Sequence, residues 1–457
     1  MLEKRNIPLI IGLDFGTACT KAVVQAPYVV GQKKWAVYFG KYGHKTNCFL
    51  LPASIWISKE GDCSLKVNDS WSRFSSSKEC LLEDPQLFVN PTSGDFRSLE
   101  ARILAIAYNA LTIAYIRNWF ELEHGREFSS SHIQWRLNIG VPSQIYKHEV
   151  LDPLFKQIGI VAWKLSEKEQ PVNINDIEPL LNQAGDITFE SEILRENINT
   201  IPEVIAEFLG YANSDKRQDG MHVIVDIGAN TLDVCAFNLF RKDGQDQFPF
   251  FTAIVTLNGA LRLQEYRRKL LLDCFVSNLK SDAHWNDPMA PVHNRIEEMF
   301  PKEKIYKIVE DLCDKGDETF LNECRLSFTR SIDRMVRLNS ESRDWKRGIP
   351  CHFCGGGSQL NFYHTVLLKV VNDYLHGNYK DRSPFRYEPL QKPDELIARN
   401  LPMNDYHRLA VAYGLSFHYR DLGQIIPAPQ IVIYKHKESA IDLITYYDDR
   451  YISKEMT

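Results

Sequence analysis

Two short segments of the chain combine an acidic residue, a glycine turn and a threonine, the residue types that hold a phosphate and its metal ion. The first is Asp14-Phe15-Gly16-Thr17, and the second runs from Asp226 to Thr231 with the sequence DIGANT. Backbone amides of a tight turn bind phosphate oxygens best where no Cβ atom blocks the approach. The carboxylate at each entrance can hold Mg²⁺ through water. Two such turns facing each other would enclose one phosphate chain.

A third glycine segment, with the sequence FCGGGS, covers residues 353–358 and follows a short apolar run. Each glycine segment alone has a simpler interpretation. A glycine after a strand is common in hairpins, and an aspartate there often satisfies local backbone donors. The combination of the three segments is therefore more informative than any one of them.

Apolar runs flank both acidic turns, at residues 8–13 and 21–25 and again at 221–225 and 232–237. Each set predicts a strand, a tight turn and a second strand. The same arrangement recurs after about two hundred residues, which predicts an internally duplicated α/β protein with one copy in each of two lobes. Other patterns predict a core helix over 99–120, a mostly helical stretch over 192–211, and an exposed polar loop at 75–77.

The composition is that of an ordinary globular protein. The 457 residues are 44% hydrophobic and 25% charged, which argues against disordered and fibrous classes. A net charge of -5 gives no broad electrostatic reason to bind nucleic acid directly. The ten cysteines are scattered, as expected for reduced thiols in the cytoplasm. The most apolar stretch, 103–116, is too short to span a membrane.

Together and in this order, the three glycine segments resemble the two phosphate motifs and the adenosine motif of one superfamily. Its members include actin, the sugar kinases and the seventy-kilodalton heat-shock chaperones. The resemblance implies a duplicated ribonuclease-H-like fold of the actin-like ATPase type, with a central cleft between two lobes. It also implies ATP or ADP and Mg²⁺ as cofactors. Matching pieces are distributed from Ile11 to Gly414, and the sequence between them is diverged.

The resemblance assigns roles to the residues that match its motifs. Those implied to contact the nucleotide are Gly16, Thr17, Lys21, Gly228, Ala229, Asn230, Thr231, Gly355, Gly356, Gly357 and Ser358. Those implied to organise the metal are Asp14, Asp226 and Asp233. Ala229 and Asn230 depart from a motif that is usually richer in glycine. Lys21 lies where actin and the plasmid-partition filament proteins carry a phosphate-binding lysine that chaperones generally lack.

Hydrolysis needs a group that orients or deprotonates the attacking water, and Glu203 is the candidate. Together with Asp14 and Asp226 it forms the predicted catalytic set. Glu203, Ala206 and Tyr211 have the spacing of the chaperones' Glu-Pro-x-Ala-Ala-x-x-x-Tyr helix start, although the proline here precedes the acid. The alternative is that Glu203 only stabilises a helix N-terminus electrostatically.

The expected division is 1–205 for the first lobe and 206–402 for the second, with 403–457 forming a closing helix that returns to the first lobe and a C-terminal extension. About forty residues follow Phe417, so no chaperone peptide-binding domain is expected.

The predicted function is an ATP-binding, slowly hydrolysing switch that resembles the chaperone nucleotide-binding domain and is recognised by a protein partner. The alternatives are a filament-forming actin-like ATPase, a small-molecule kinase and a nucleotide-binding scaffold that does not hydrolyse.

Overall fold

The computed structural model describes residues 5–29, 31, 33–75, 77–92, 97–142, 150–168, 171–184, 196–274, 292, 307–339, 342–364, 367–368, 372, 385–402, 404–426, 433–437 and 440–444. The fold is of the α/β class, as the sequence predicts, and its two largest sheets are mixed. None of the helices within these ranges is long and apolar enough to cross a membrane.

The first sheet is built on a central strand that is buried along most of its length. Its main strands are β1 (Arg5–Asp14), β2 (Cys19–Gln25), β3 (Lys34–Ala36), β4 (Ser131–Val141) and β5 (Ile198–Pro202). Their order is β5-β4-β1-β2-β3, and short strands Leu396–Ile397 and Leu51–Pro52 pair with β3 and β2. β1, β2 and β3 form an antiparallel meander, whereas β4 and β5 run parallel to β1.

The second sheet has the same strand order. Its main strands are β6 (Gly220–Ile227), β7 (Leu232–Lys242), β8 (Gln245–Thr256) and β9 (Pro350–Cys354). β6, β7 and β8 form the antiparallel meander, and β9 and then Arg386–Tyr387 lie parallel to β6 on its other side. The strand Gln424–Ile426 extends the sheet beside β8. The acidic turn in each sheet therefore joins the same two strands, the central one and its antiparallel neighbour.

The helices lie on both faces of these sheets. Their bounds are α1 Ser77–Glu83, α2 Ala101–His124, α3 Leu151–Ser166, α4 Ile177–Gln183, α5 Glu203–Ala212, α6 Ala260–Cys274, α7 Lys307–Leu338, α8 Asp344–Arg347 and α9 Ala410–Leu415. Short 3-10 helices cover Gly40–Tyr42, Gly125–Phe128, Ile174–Asp176, Gly356–Gln359, Tyr406–Arg408 and Tyr419–Asp421. Smaller sheets join Ser54–Ile57 with Cys63–Ser64 and Ser72–Ser75, Phe88–Val89 with Leu99–Glu100, and Ile433–Lys437 with Ala440–Ile444.

One hydrophobic core connects the two sheets through α5 and α9. Val23 of β2 and Phe237 of β7 belong to this core together with Phe208 of α5 and Tyr413 of α9. The backbones of α5 and α9 touch, because a Cβ atom at Gly414 would collide with the carbonyl oxygen of Ala206. The opposite faces of the sheets are covered by α2 and α3 on the first and by α6 and α7 on the second. α5 and α9 therefore form a layer between the sheets.

Two predicted elements differ from the structure. Residues 198–202 are a strand rather than part of a helix, because the β-branched Ile198 and Ile201 are buried in parallel pairing with β4. The polar stretch predicted as an exposed loop differs at its described residues: Ser75 ends a strand and the buried Ser77 begins α1, while residue 76 lies outside the described residues. The predicted C-terminal extension lies only partly within the described residues, which exclude 403, 427–432, 438–439 and 445–457.

Candidate functional site

The turn between β1 and β2 places an acid and a lysine directly opposite each other. Asp14 ends β1 and pairs in register with Lys21 of β2, and their side chains form a 2.5 Å ion pair. Burial alone would lower the pKa of Lys21, but the charge and hydrogen bond of Asp14, together with the nearby Cys19, raise it above its usual value. The ammonium is therefore held in its charged form beside the turn.

Glycine is required at position 16, because a Cβ atom there would collide with the carbonyl oxygen of Cys19. The backbone amides of residues 15–18, which include Thr17, donate to no acceptor anywhere in the described part of the chain. Backbone amides that water does not reach require an acceptor, and partly exposed amides also bind water. An anion in front of the turn would supply an acceptor.

The turn between β6 and β7 places two acids opposite each other. Asp226 and Asp233 are a cross-strand pair, and one oxygen of each carboxylate is buried without a hydrogen-bond partner among the residues described. Burial, together with the negative charges of Glu203 and Asp14, raises the pKa of Asp226 to about 7. Burial also raises the pKa of Asp233 well above its usual range, with Asp226 adding to the effect. Like charges placed directly opposite are unfavourable, and a cation between them would relieve the repulsion.

The second turn is fixed in place by the N-terminus of α6. The carbonyl oxygens of Gly228, Ala229 and Asn230 accept hydrogen bonds from the amides of residues 260, 261 and 259. Within the turn, the Gly228 amide donates to Thr231, 2.9 Å away. The amides of Ala229, Asn230 and Thr231 have no acceptor within the described ranges. Both acidic turns thus present unpaired amides, the second from residues other than Gly228.

The two turns share one polar site. The negative charge of Asp14 raises the pKa of Asp226, and the positive charge of Lys21 opposes that increase, so the acids of the two sheets lie within electrostatic reach of each other. The predicted metal-organising acids Asp14, Asp226 and Asp233 are thus brought into one region. No group of three or more His, Cys, Asp or Glu in metal-binding geometry occurs among the described residues. The unpartnered oxygens of Asp226 and Asp233 nevertheless fit a Mg²⁺ ion held partly through water.

Glu203 is the first residue of α5 and points into this region. Its carboxylate receives a 2.6 Å ion pair from Lys78 of α1, and both side chains are largely buried. Gly140 of β4 leaves room for Glu203, since a Cβ atom there would lie 2.9 Å from Glu203 Cγ. The charge of Glu203 raises the pKa of Asp226, so the two carboxylates lie within electrostatic reach of each other.

Three charged residues of the site were not predicted. Lys78 has no local sequence signal, because its partner lies 125 positions away. Glu207, one helical turn after Glu203, is completely buried, and its carboxylate has the Cys354 thiol beside it but no N–H or O–H donor among the described residues. Burial raises the pKa of Glu207 well above its usual range, and Asp226 and Glu203 add to the effect. An acid among the apolar residues of the sequence VIAEFLG is a signal that could have identified it. The third unpredicted charged residue is Arg408, whose guanidinium lies beside Gly356.

The third glycine segment packs directly on the second turn. Gly355 has φ +77°, and a Cβ atom there would collide with the Asp226 carboxylate, while one at Gly357 would collide with the Ile227 side chain. Gly356 faces Arg408, whose Nη2 lies 3.4 Å from its Cβ position. Ser358 is buried, and its amide donates to the Gly355 oxygen at 3.2 Å. Glycine is therefore required at positions 355 and 357 by packing against β6. Gly356 is exposed and has no such close contact with β6.

Comparison with known proteins gives no family assignment. No protein-family model matches the sequence, and no curated protein matches it significantly.

Proposed function

We propose that this chain binds Mg·ATP between its two sheets and hydrolyses it slowly, as a switch of the actin and heat-shock-chaperone ATPase superfamily. The proposal includes the duplicated ribonuclease-H-like, two-lobed fold of that superfamily, which the equal strand order of the two sheets supports. One observation carries the proposal. Two equivalent turns, one per sheet, each have an acid at the entrance and unpaired amides, and their acids interact with each other.

The charges of the site suit a polyphosphate bound with a metal ion. Asp14, Asp226 and Asp233 would hold Mg²⁺, which would neutralise part of the phosphate charge. Lys21 and Lys78 add positive charge from the first sheet and from α1. The unpaired amides of both turns would donate to phosphate oxygens. The acids alone would repel ATP, so nucleotide and metal are expected to bind together.

Hydrolysis is assigned to Glu203. Its carboxylate would orient and deprotonate a water molecule next to the terminal phosphate. Lys78 keeps this carboxylate paired through a 2.6 Å ion pair. A base held by an ion pair is a weaker proton acceptor, so turnover is expected to be slow.

The switch is assigned to the layer between the sheets. Two ion pairs connect α1 to other helices. Lys78 binds Glu203 of α5, in the layer between the sheets, and Glu79 binds Arg262 of α6, which covers the second sheet. Nucleotide in the cleft would hold the halves together through both turns, and its loss would release them. A protein partner would then distinguish the two states.

The filament-forming ATPase is retained as a second candidate because of Lys21. In this structure Lys21 lies beside the first turn, where the resemblance to actin and plasmid-partition proteins assigns phosphate binding. ATP-dependent sedimentation of the protein would favour this candidate over a monomeric switch.

Phosphate release and sedimentation with Mg·ATP test the proposal. Asp14→Ala is expected to abolish binding, and Glu203→Ala is expected to retain binding and lose turnover. Glu178→Ala, at an exposed position on α4, is the matched control and should behave as the wild type. Wild-type protein that neither binds nor hydrolyses ATP would refute the proposal.

A further inference from the structure

The positively charged side chains around the site are nearly all neutralised by carboxylates. Lys21 pairs with Asp14, Lys78 with Glu203, and Arg262 with both Glu79 and Glu265. Arg408 differs, because its guanidinium forms no ion pair or hydrogen bond with any of the residues that the structure describes. Its guanidinium is thus available to bind an anion from outside the chain.

Arg408 lies between the third glycine segment and the first turn. The Nη2, Nε and Cζ atoms of its guanidinium are 3.4, 3.7 and 3.8 Å from the Cβ position of Gly356. Its positive charge also reaches Lys21, where it opposes the effect of Asp14 on the lysine. The guanidinium therefore lies beside Gly356 and within electrostatic reach of Lys21.

The backbone that carries Arg408 is held firmly. Arg408 ends the 3-10 helix Tyr406–Arg408, directly before α9. Asp405 accepts a 2.8 Å hydrogen bond from Asn47, and the ring of His407 contacts Gln359, the residue after the glycine segment, at 3.3 Å. The side chain is thus presented from a fixed position that depends on both halves of the molecule.

We infer that Arg408 binds the phosphate chain of the nucleotide, so that the site selects nucleoside polyphosphates over the uncharged nucleoside. The inference rests on the proposed function. Guanidinium forms paired, charge-assisted hydrogen bonds with phosphate oxygens. The neighbouring cations already have carboxylate partners, so Arg408 supplies positive charge without first breaking an ion pair. The missing side chain of Gly356 keeps the face of the guanidinium accessible.

Calorimetric titration of ATP and of adenosine into four proteins tests the inference. They are the wild type, Arg408→Gln, Arg408→Lys and the exposed control Arg420→Gln. Arg408→Gln should weaken ATP binding at least about tenfold and change adenosine binding less than about twofold. Arg408→Lys should recover part of the ATP affinity, and Arg420→Gln should match the wild type.

Two results would overturn the inference while the wild type still binds ATP. One is unchanged ATP affinity in Arg408→Gln, and the other is an equal loss for ATP and adenosine, which would indicate base stacking or a structural role. If Arg408→Gln does not fold, the folded Arg408→Lys variant decides. ATP binding weaker than that of the wild type, with normal adenosine binding, supports a guanidinium-phosphate contact. Unchanged ATP affinity refutes it. A wild type that binds neither ligand would instead refute the proposed function and the inference with it.

Discussion

Glu207 is the acid with the least favourable surroundings in the site. It is completely buried, its carboxylate has only the weak thiol donor of Cys354 beside it in the part of the structure described, and burial raises its pKa. Its folded-state pKa exceeds its unfolded value of about 4.3. The contribution of Glu207 to stability is therefore full below the unfolded pKa and is lost as the pH rises through the folded pKa.

Glu207→Gln should consequently stabilise the nucleotide-free protein at high pH. The neutral amide has the same shape and no ionisation to suppress, so we expect a gain on the order of 1–3 kcal/mol at pH 8 and a smaller one at pH 5. Urea unfolding at both pH values measures this. Equal effects at pH 5 and pH 8 would contradict the assigned titration.

Lys78 and Glu203 should behave as a coupled pair. Lys78→Met leaves a largely buried carboxylate without its partner and should cost about 3 kcal/mol of unfolding free energy. Adding Glu203→Gln removes the unpaired charge and should recover most of this loss, while ATP hydrolysis stays absent. A double-mutant cycle by urea unfolding measures the coupling. Additive losses would show that the two side chains do not depend on each other.

The sequence predicted the residues that form the two turns, because a turn is determined by neighbouring residues. Asp14, Gly16, Asp226 and Gly228 lie where strand, acid and glycine follow each other. Lys78 and Arg408 could not be found in this way. Their positions depend on contacts with residues far along the chain, and a single cation in a polar segment looks like an ordinary surface residue.

At the scale of elements, the packing of the third glycine segment on β6 makes its glycines unequal. Gly355→Ala must place a methyl group against Asp226 at a positive φ and should destabilise the protein on the order of 2 kcal/mol or more. Gly356→Ala meets only the flexible end of Arg408 and should cost less than about 1 kcal/mol. Thermal unfolding compares them. Similar melting temperatures for both variants would refute this packing.

The strand-turn-strand units were predictable from sequence, since period and composition agree with their structure. β5 was not, because the chain at 192–211 favours helix locally until parallel pairing with β4 orders residues 198–202 as a strand. α1 was hidden in a serine-rich stretch, where its burial depends on partners outside the segment. Tertiary pairing outweighed local preference in both cases.

At the scale of the whole molecule, the pair formed by Glu79 and Arg262 links α1 to α6 and so connects elements of the two halves. Arg262→Ala should loosen this link and accelerate ADP release about two- to fivefold, because partly exposed ion pairs contribute at most about 1 kcal/mol. Displacement of a fluorescent ADP analogue measures the rate. Arg337→Ala, which breaks a pair within α7, is the control. An equal effect of both variants would exclude a specific link.

Calorimetric titration of Mg·ATP into the wild type, Asp14→Asn and Asp226→Asn tests most directly whether both sheets bind one nucleotide. We predict one ATP per chain for the wild type and strongly weakened binding in each variant, although the two acids belong to different sheets. Unchanged ATP affinity in either variant, or a wild type that does not bind ATP, would contradict the account.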